Sequence, residues 1–413
     1  MKQTLFTKNF VLLILGQASS LFGNFILKLA LSMYILEITG SAAIFAGILS
    51  AATVPTILLS PFGGILADRI NRKTIMVTLD TATGTAVLCA TLLLSQSNAV
   101  AVIGALLVIL SVLGAFETPT VQACIPQMLT GDDIVRGNAA VNQVASIAYL
   151  AAPALGGILY AAVGLKPVLY ASTACFLATA FLECMIRLDP PHSESHAGVL
   201  STIKQDFSES IRFLRKEQPD ILNMLLLTAL SRFFVMGITI IGLPYLVRTV
   251  LGLDAACYGV TESLLAVAAI GGSIAAGLLT GKQKYCKLSL VLEALGGSIL
   301  IAGIAFVLPI PVMAKYAINT AAFCGMQAAI SIFSIFAVSR IQQKTPNHLL
   351  GKVMAYTAAT TLCAQPAGQL LYGFLFDRFR YAVSLVLIPT GVVVGGIGLL
   401  EAASARKADK KPA

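Results

Sequence analysis

From residue 9 to residue 402 the chain is a succession of apolar runs, each long enough to cross a lipid bilayer as a helix, divided by short polar turns. The run at 42–66 carries no charge, and the run at 74–95 carries only Asp80. With 57% hydrophobic and 11% charged residues, and a mean hydropathy of +0.87, the chain has more apolar surface than a soluble core could hide. The runs predict an all-α membrane protein of twelve transmembrane helices. Their limits are 9–37, 41–66, 74–95, 99–122, 137–163, 166–187, 220–248, 256–280, 287–308, 312–340, 350–376 and 380–402.

One long polar stretch interrupts the series, at 188–219, with Pro190-Pro191, His192, His196 and an amphipathic segment from Ser201 to Lys216. It reads as a linker between two six-helix halves, with a surface helix lying on the membrane. The expected domains are therefore 1–187, the linker 188–219, a second half at 220–402 and a basic tail at 403–413. With both termini cytoplasmic, that side holds 21 Lys and Arg, against 5 on the other side and Lys28 and Arg232 within helices. The positive-inside rule then places the protein in the cell membrane with its termini and linker in the cytoplasm. From Met1 to Lys8 the chain leads straight into an apolar helix, so no cleaved signal peptide is expected. Net charge of +9 is scattered singly through the short loops, which suits anionic lipid headgroups and not nucleic acid. Eight cysteines without C-x-x-C spacing and three histidines argue against zinc, a disulfide framework or a metal centre.

The halves repeat at a shift of about 212 to 216 residues. That shift sets Ile125-Pro126-Gln127 over Ile341-Gln342-Gln343, Thr130 near Thr345, Pro153 near Pro366, and Asp80 over Glu293. Two parallel repeats about an axis along the membrane normal are a secondary-transporter architecture, with substrate expected near the midplane. A basic turn joins the second and third runs: Gly64-Ile65-Leu66-Ala67-Asp68-Arg69-Ile70-Asn71-Arg72-Lys73. It resembles the loop between helices 2 and 3 of major facilitator superfamily transporters, G-x-L-A-D-R-x-G-R-K. Asn71 stands where glycine is usual, and asparagine is the next-best residue for a left-handed turn. The resemblance implies that Asp68, Arg69, Arg72 and Lys73 latch the two halves on the cytoplasmic side. The alternative is a solvated turn that only fixes topology. Asp80 and Glu293 are expected to be structural partners of the basic loops, with a proton-carrying role as the alternative.

Helix 5 carries Ala152-Pro153-Ala154-Leu155-Gly156-Gly157, similar to the G-P-x-x-G-G motif of drug:proton antiporters. Small residues there let helices approach closely. Together with Ile125 to Asn138 and the Leu36-to-Ala42 ending of helix 1, the chain resembles the branch containing macrolide efflux proteins and the enterobactin exporter. That branch often has Gly-Asp where this chain has Gly23-Asn24.

Ionisable residues inside a membrane are costly and therefore informative. Gln17, Ser20, Asn24, Lys28 and Ser32 recur at helical steps on one face of helix 1, and Arg232 lies near the middle of helix 7 with Thr228 and Thr239 on its face. Helices 1 and 7 line the central cavity in this superfamily. Lys28 and Arg232 there would attract an anionic or zwitterionic substrate, or form buried ion pairs. Glu117 and Glu262 are the candidate partners and proton-coupling sites; either can instead snorkel. Helix 10 adds Asn319 and Gln327, with Ser331 and Ser334, interleaved with Phe323, Phe333 and Phe336, as a cavity wall or as interhelical packing. No nucleotide-binding loop or catalytic constellation is present, so neither an enzyme nor a cofactor is expected. The expected function is export of a hydrophobic or amphiphilic small molecule, drug-like or siderophore, by proton antiport with alternating access. Proton-coupled uptake, lysophospholipid transport and a non-transporting receptor or scaffold are the alternatives. The expected partners are a small-molecule substrate, protons and membrane lipids, and the expected state is a monomer.

Overall fold

The computed structural model describes residues 7–188, 219–279 and 288–408. The linker expected at 188–219, the loop Gly281-Lys282-Gln283-Lys284 and residues 409–413 of the tail lie outside the described residues, save Leu188 and Pro219 at the linker's two edges. Twelve helical segments follow one another, with no strand among the described residues: α1 (Lys8–Thr39), α2 (Ala42–Arg69), α3 (Arg72–Leu93), α4 (Ala99–Met128), α5 (Asp132–Val163), α6 (Leu165–Cys184), α7 (from Pro219–Met236 onward), α8 (Ala255–Leu279), α9 (Leu288–Val307), α10 (Val312–Lys344), α11 (Asn347–Arg378) and α12 (Ser384–Ala408). Eleven are long and apolar enough to cross a membrane; α11, with Thr357, Thr360, Thr361, Gln365 and Gln369, is the more polar twelfth. Large apolar side chains such as Leu92, Phe181, Leu278 and Leu400 are exposed, as expected where lipid is the solvent.

Several helices overrun the apolar limits. α4 continues through Pro119 and Pro126 to Met128, α5 starts at Asp132, and α10 ends at Lys344. Hydropathy reports the depth of the hydrocarbon, whereas the helix ends where its caps are. Gly40 closes α1 in the left-handed conformation at φ 59°, its N–H bonded to the Leu36 carbonyl. The expectation for Asn71 is corrected. Its φ is −58°, and its side chain accepts a hydrogen bond from Lys73 N at 3.0 Å, so it is the N-cap of α3 and not a left-handed turn residue.

α7 also departs from a plain helix. After Met236 it widens into π turns at Gly237–Gly242 and Leu246–Val250, with a short α segment, Leu243–Tyr245, between them. Pro244 has no N–H to offer the turn before it, and wider turns re-satisfy the carbonyls left over.

The chain clusters into two compact units. The first takes α1, α3 to α6, α2 from Gly47 onward, and Gly252–Ser263 at the start of α8; the second takes Ser41–Ala46, α7, α8 from Leu264, and α9 to α12.

In the first unit α6 lies against α1 at two glycines. A Cβ at Gly23 would stand 3.1 Å from Cys175 Cβ, and one at Gly16 would stand 3.5 Å from the Thr179 methyl. Hydroxyl-to-carbonyl hydrogen bonds cross the same contact: Ser19 to Cys175 at 3.0 Å, Ser172 to Gly23 at 3.3 Å, and Thr179 to Gly16 at 3.2 Å. Polar groups of this kind hold helices together where lipid supplies no hydrophobic drive.

In the second unit α11 lies against α7, where side chains at Gly237 and Gly368 would strike the opposing backbone. At the far end of α11, Asp377 accepts hydrogen bonds from Ser41 Oγ at 2.5 Å, Ala42 N at 2.7 Å and Ala43 N at 3.0 Å. Its carboxylate thus satisfies the first free N–H groups of α2 and meets the positive end of that helix. Asp377→Ala is expected to remove about 1–2 kcal/mol of stability. A lowered melting temperature of the purified protein, partly restored in Asp377→Asn, would show it; an unchanged one would remove the cap from the ledger.

Candidate functional site

The interior of the first unit holds more polar groups than its helices need for packing. On α1, Gln17, Ser20, Asn24 and Lys28 run along one side. Ser20 is 1% exposed, and its Oγ lies 3.2 Å from Asp80 Oδ1 on α3 and 3.2 Å from Glu117 Oε1 on α4. Asp80 is hydrogen-bonded to Glu183, in the last turn of α6. Glu183 is set against α1 at Gly16, where a Cβ would stand 3.9 Å from its Oε1. Lys28, two turns beyond Ser20, is the cation in electrostatic reach of Glu117. Four helices thus converge three carboxyl groups and one lysine, at the place where glycines let α1 and α6 touch.

This geometry revises the expectation for Asp80. It is 2% exposed and its partners among the described residues are Ser20 and Glu183, which places it in the interior cluster. Glu293, its repeat counterpart, packs at Gly398, where a Cβ would come within 3.0 Å of Glu293 Cγ. Sequence reasoning missed Glu183, because a glutamate four residues before Arg187 reads as a helix-end charge. A signal was available: Ser172, Thr179 and Glu183 recur on one face of α6, at the spacing that carries the polar stripe of α1.

The other expected site residues are placed as follows. Lys28 and Glu117 lie in electrostatic reach of one another without forming an ion pair. Arg232, in the second unit, contacts Met236 Sδ at 4.0 Å, and no carboxylate among the described residues pairs with it. Asn319 is buried; its Nδ2 donates to the Lys315 carbonyl at 3.0 Å and its Oδ1 has no partner among the described residues. Phe323, Phe333 and Phe336 are buried in the same unit and act as core. The Gln327 carbonyl accepts from Ser331 at 3.0 Å. Glu262 accepts from Tyr258 at 2.7 Å, one turn away on α8. In the basic loop, Arg72 donates to the Ala123 carbonyl of α4 at 2.8 Å. The side chains of Asp68 and Arg69, and Gly64 beside them, lie outside the described residues.

Pro153, Gly156 and Gly157 form a contact surface on α5. A Cβ at Gly156 would stand 3.1 Å from Ile26 Cα of α1. One at Gly157 would strike the Ala255 carbonyl, and one at Gly259 the Pro153 carbonyl, so the start of α8 lies directly on α5. Gly157→Val or Gly259→Val is expected to cost about 1–3 kcal/mol through overpacking. Gly271, further along α8, has open space around it and serves as the control. Equal yields of folded protein from all three variants would contradict the close contact.

Comparison with known proteins agrees with this architecture. A family model described as Major Facilitator Superfamily matches residues 13–368. Macrolide efflux protein A of Streptococcus pyogenes is 24% identical over 373 residues, 88% of each chain. The multidrug efflux pump Tap of Mycobacterium tuberculosis is 24% identical over 405 residues, 94% of this chain and 92% of that one. The crystal structure of a D-xylose-proton symporter superposes with a TM-score of 0.70 at 13% identity, covering 95% of this chain and 96% of that one; a likeness at that identity carries the fold alone.

Proposed function

The chain belongs to the Major Facilitator Superfamily, and from that premise we propose that it exports a hydrophobic or amphiphilic small molecule, drug-like or siderophore, in exchange for protons. The observation that carries this reading is the likeness, along nearly the whole chain, to two proteins named for drug efflux. The mechanism proposed is alternating access between two six-helix halves, in a cell membrane with both termini cytoplasmic, as the distribution of Lys and Arg favours.

Export by exchange needs a group that binds a proton in one state and gives it up in another. Glu117 suits that task in this chain. It sits in the membrane region between a hydroxyl that can donate to it and a lysine in electrostatic reach. Lys28 is in electrostatic reach of Glu117, whereas no carboxylate among the described residues pairs with Arg232, so Arg232 is the better candidate to meet a negatively polarised part of the substrate. Asp68 and the basic residues after it are proposed to bias the two states from the cytoplasmic side. A bistable contact of this kind acts by population and not by chemistry.

The test is accumulation of macrolides, dyes and siderophores in cells lacking their own pumps. The expected result is lower accumulation, erased by a protonophore and by Glu117→Gln. Asp68→Asn is expected to reduce export about tenfold or more while leaving the protein in the membrane, a shift of ~1.4 kcal/mol in the balance of states. Accumulation that rises with expression, and still needs the proton gradient, would overturn export in favour of symport.

A further inference from the structure

Three carboxyl groups meeting beside α1 impose a proton inventory. An ionised carboxylate only accepts hydrogen bonds, so the contact between Asp80 and Glu183 requires one proton held between them. Ser20 has a single hydroxyl hydrogen and two carboxylate acceptors at the same 3.2 Å, Asp80 Oδ1 and Glu117 Oε1. It can serve one of them at a time. Asp80 Oδ1 is taken by Ser20, and Asp80 Oδ2 and Glu183 Oε2 are both buried with no other donor among the described residues than that shared proton. Gln17, 7% exposed and flanked on α1 by Gly16 at Glu183 and by Ser20, holds a buried Nε2 with no partner among the described residues.

We propose that Ser20 is a positioning residue whose one hydrogen swings between Asp80 and Glu117, so that the charge on Glu117 decides whether the pair of Asp80 and Glu183 receives that hydrogen bond. When Glu117 takes a proton from solvent, its O–H donates to Ser20 Oγ, and the Ser20 hydrogen points to Asp80. When Glu117 returns that proton to solvent, the Ser20 hydrogen turns to the Glu117 carboxylate, and Asp80 keeps only the proton shared with Glu183. No covalent bond forms or breaks apart from the O–H bond of Glu117. One proton moves per cycle and the Asp80–Glu183 proton stays. Lys28 of α1 is in electrostatic reach of Glu117; Cys184 of α6 and Cys124 of α4 are in electrostatic reach of Glu183, and Arg72 of α3 is in reach of Cys124. α5, which also packs on α1, presents Tyr149 edge-on to Phe25 at 5.6 Å.

The inference rests on the proton-antiport reading for its use, though not for its geometry, and the test separates the two. Infrared difference titration of the purified full-length protein follows the C=O stretch of protonated carboxyl groups. The expected result is one band that titrates and vanishes in Glu117→Gln, and one that persists across the titration and vanishes in Glu183→Gln. Ser20→Ala is expected to move the titration midpoint by about one pH unit, a tenfold change in proton affinity, while Ser20→Thr keeps the wild-type value. A purely packing role would change yield and leave the midpoint where it was, and that result overturns the proposal. So does a titrating band that survives Glu117→Gln. Ethidium efflux from cells carrying the same variants supplies the second arm. Efflux indifferent to a protonophore, with the midpoint still moved in Ser20→Ala, sinks antiport and leaves the hydroxyl switch standing. Protonophore-sensitive efflux with an unmoved midpoint does the reverse.

Discussion

The close approach of α1 to α6 is the contact on which the first unit depends. Gly16 and Gly23 remove the side chains that would hold the helices apart, and three hydroxyl-to-carbonyl bonds fill the seam. Once α6 lies that near, the last turn of α6 cannot keep Glu183 at the surface. Glu183 is pressed against Gly16, and Asp80 comes to it from α3. A bilayer offers no water to three such groups, so they solvate one another. The polar cluster is thus a result of backbone packing as much as of the acidic residues themselves.

The second unit is built by the same rule with a different outcome. Glycines on α7 and α11 again permit contact at backbone distance, but the groups brought together are aromatic: Tyr372 and Phe376 with ring centroids 6.2 Å apart, and Tyr245 and Phe376 at 5.9 Å. Tyr372 is anchored by its hydroxyl to Thr390 at 2.9 Å. Where the first unit has Asp80 in a carboxyl cluster, the second has Glu293 beside a glycine of α12. The two halves share the use of glycine but not the helix pair, because α11 is the repeat counterpart of α5 and the α7–α11 contact answers to α1–α5 and not to α1–α6.

Most of the architecture was legible in the sequence because it is a matter of hydrocarbon thickness. Twelve apolar runs match twelve helical segments among the described residues. Helix ends were less legible, since α4 and α10 continue into polar sequence that hydropathy excludes. The candidate site was half legible. Glu117 could be singled out as a charge within an apolar run, and so could Lys28. Their company could not, because Asp80 and Glu183 look like charges near helix ends until the α1–α6 seam is known. Asn71 was misread for a related reason: a residue suited to a left-handed turn is also a good N-cap, and the backbone decides between them.

The widened turns of α7 bear on how this helix tolerates change in length. A π turn holds about one residue more than an α turn, so α7 stores spare residues within Gly237–Gly242 and Leu246–Val250. A deletion there can be absorbed by tightening one turn, leaving both flanks in register. α1 has no such slack. Removing one residue between Ser20 and Lys28 would rotate everything beyond it by about 100° and carry the lysine off the face it shares with Ser20. Of the two helices, one is adjustable in length and the other is fixed by what it must align.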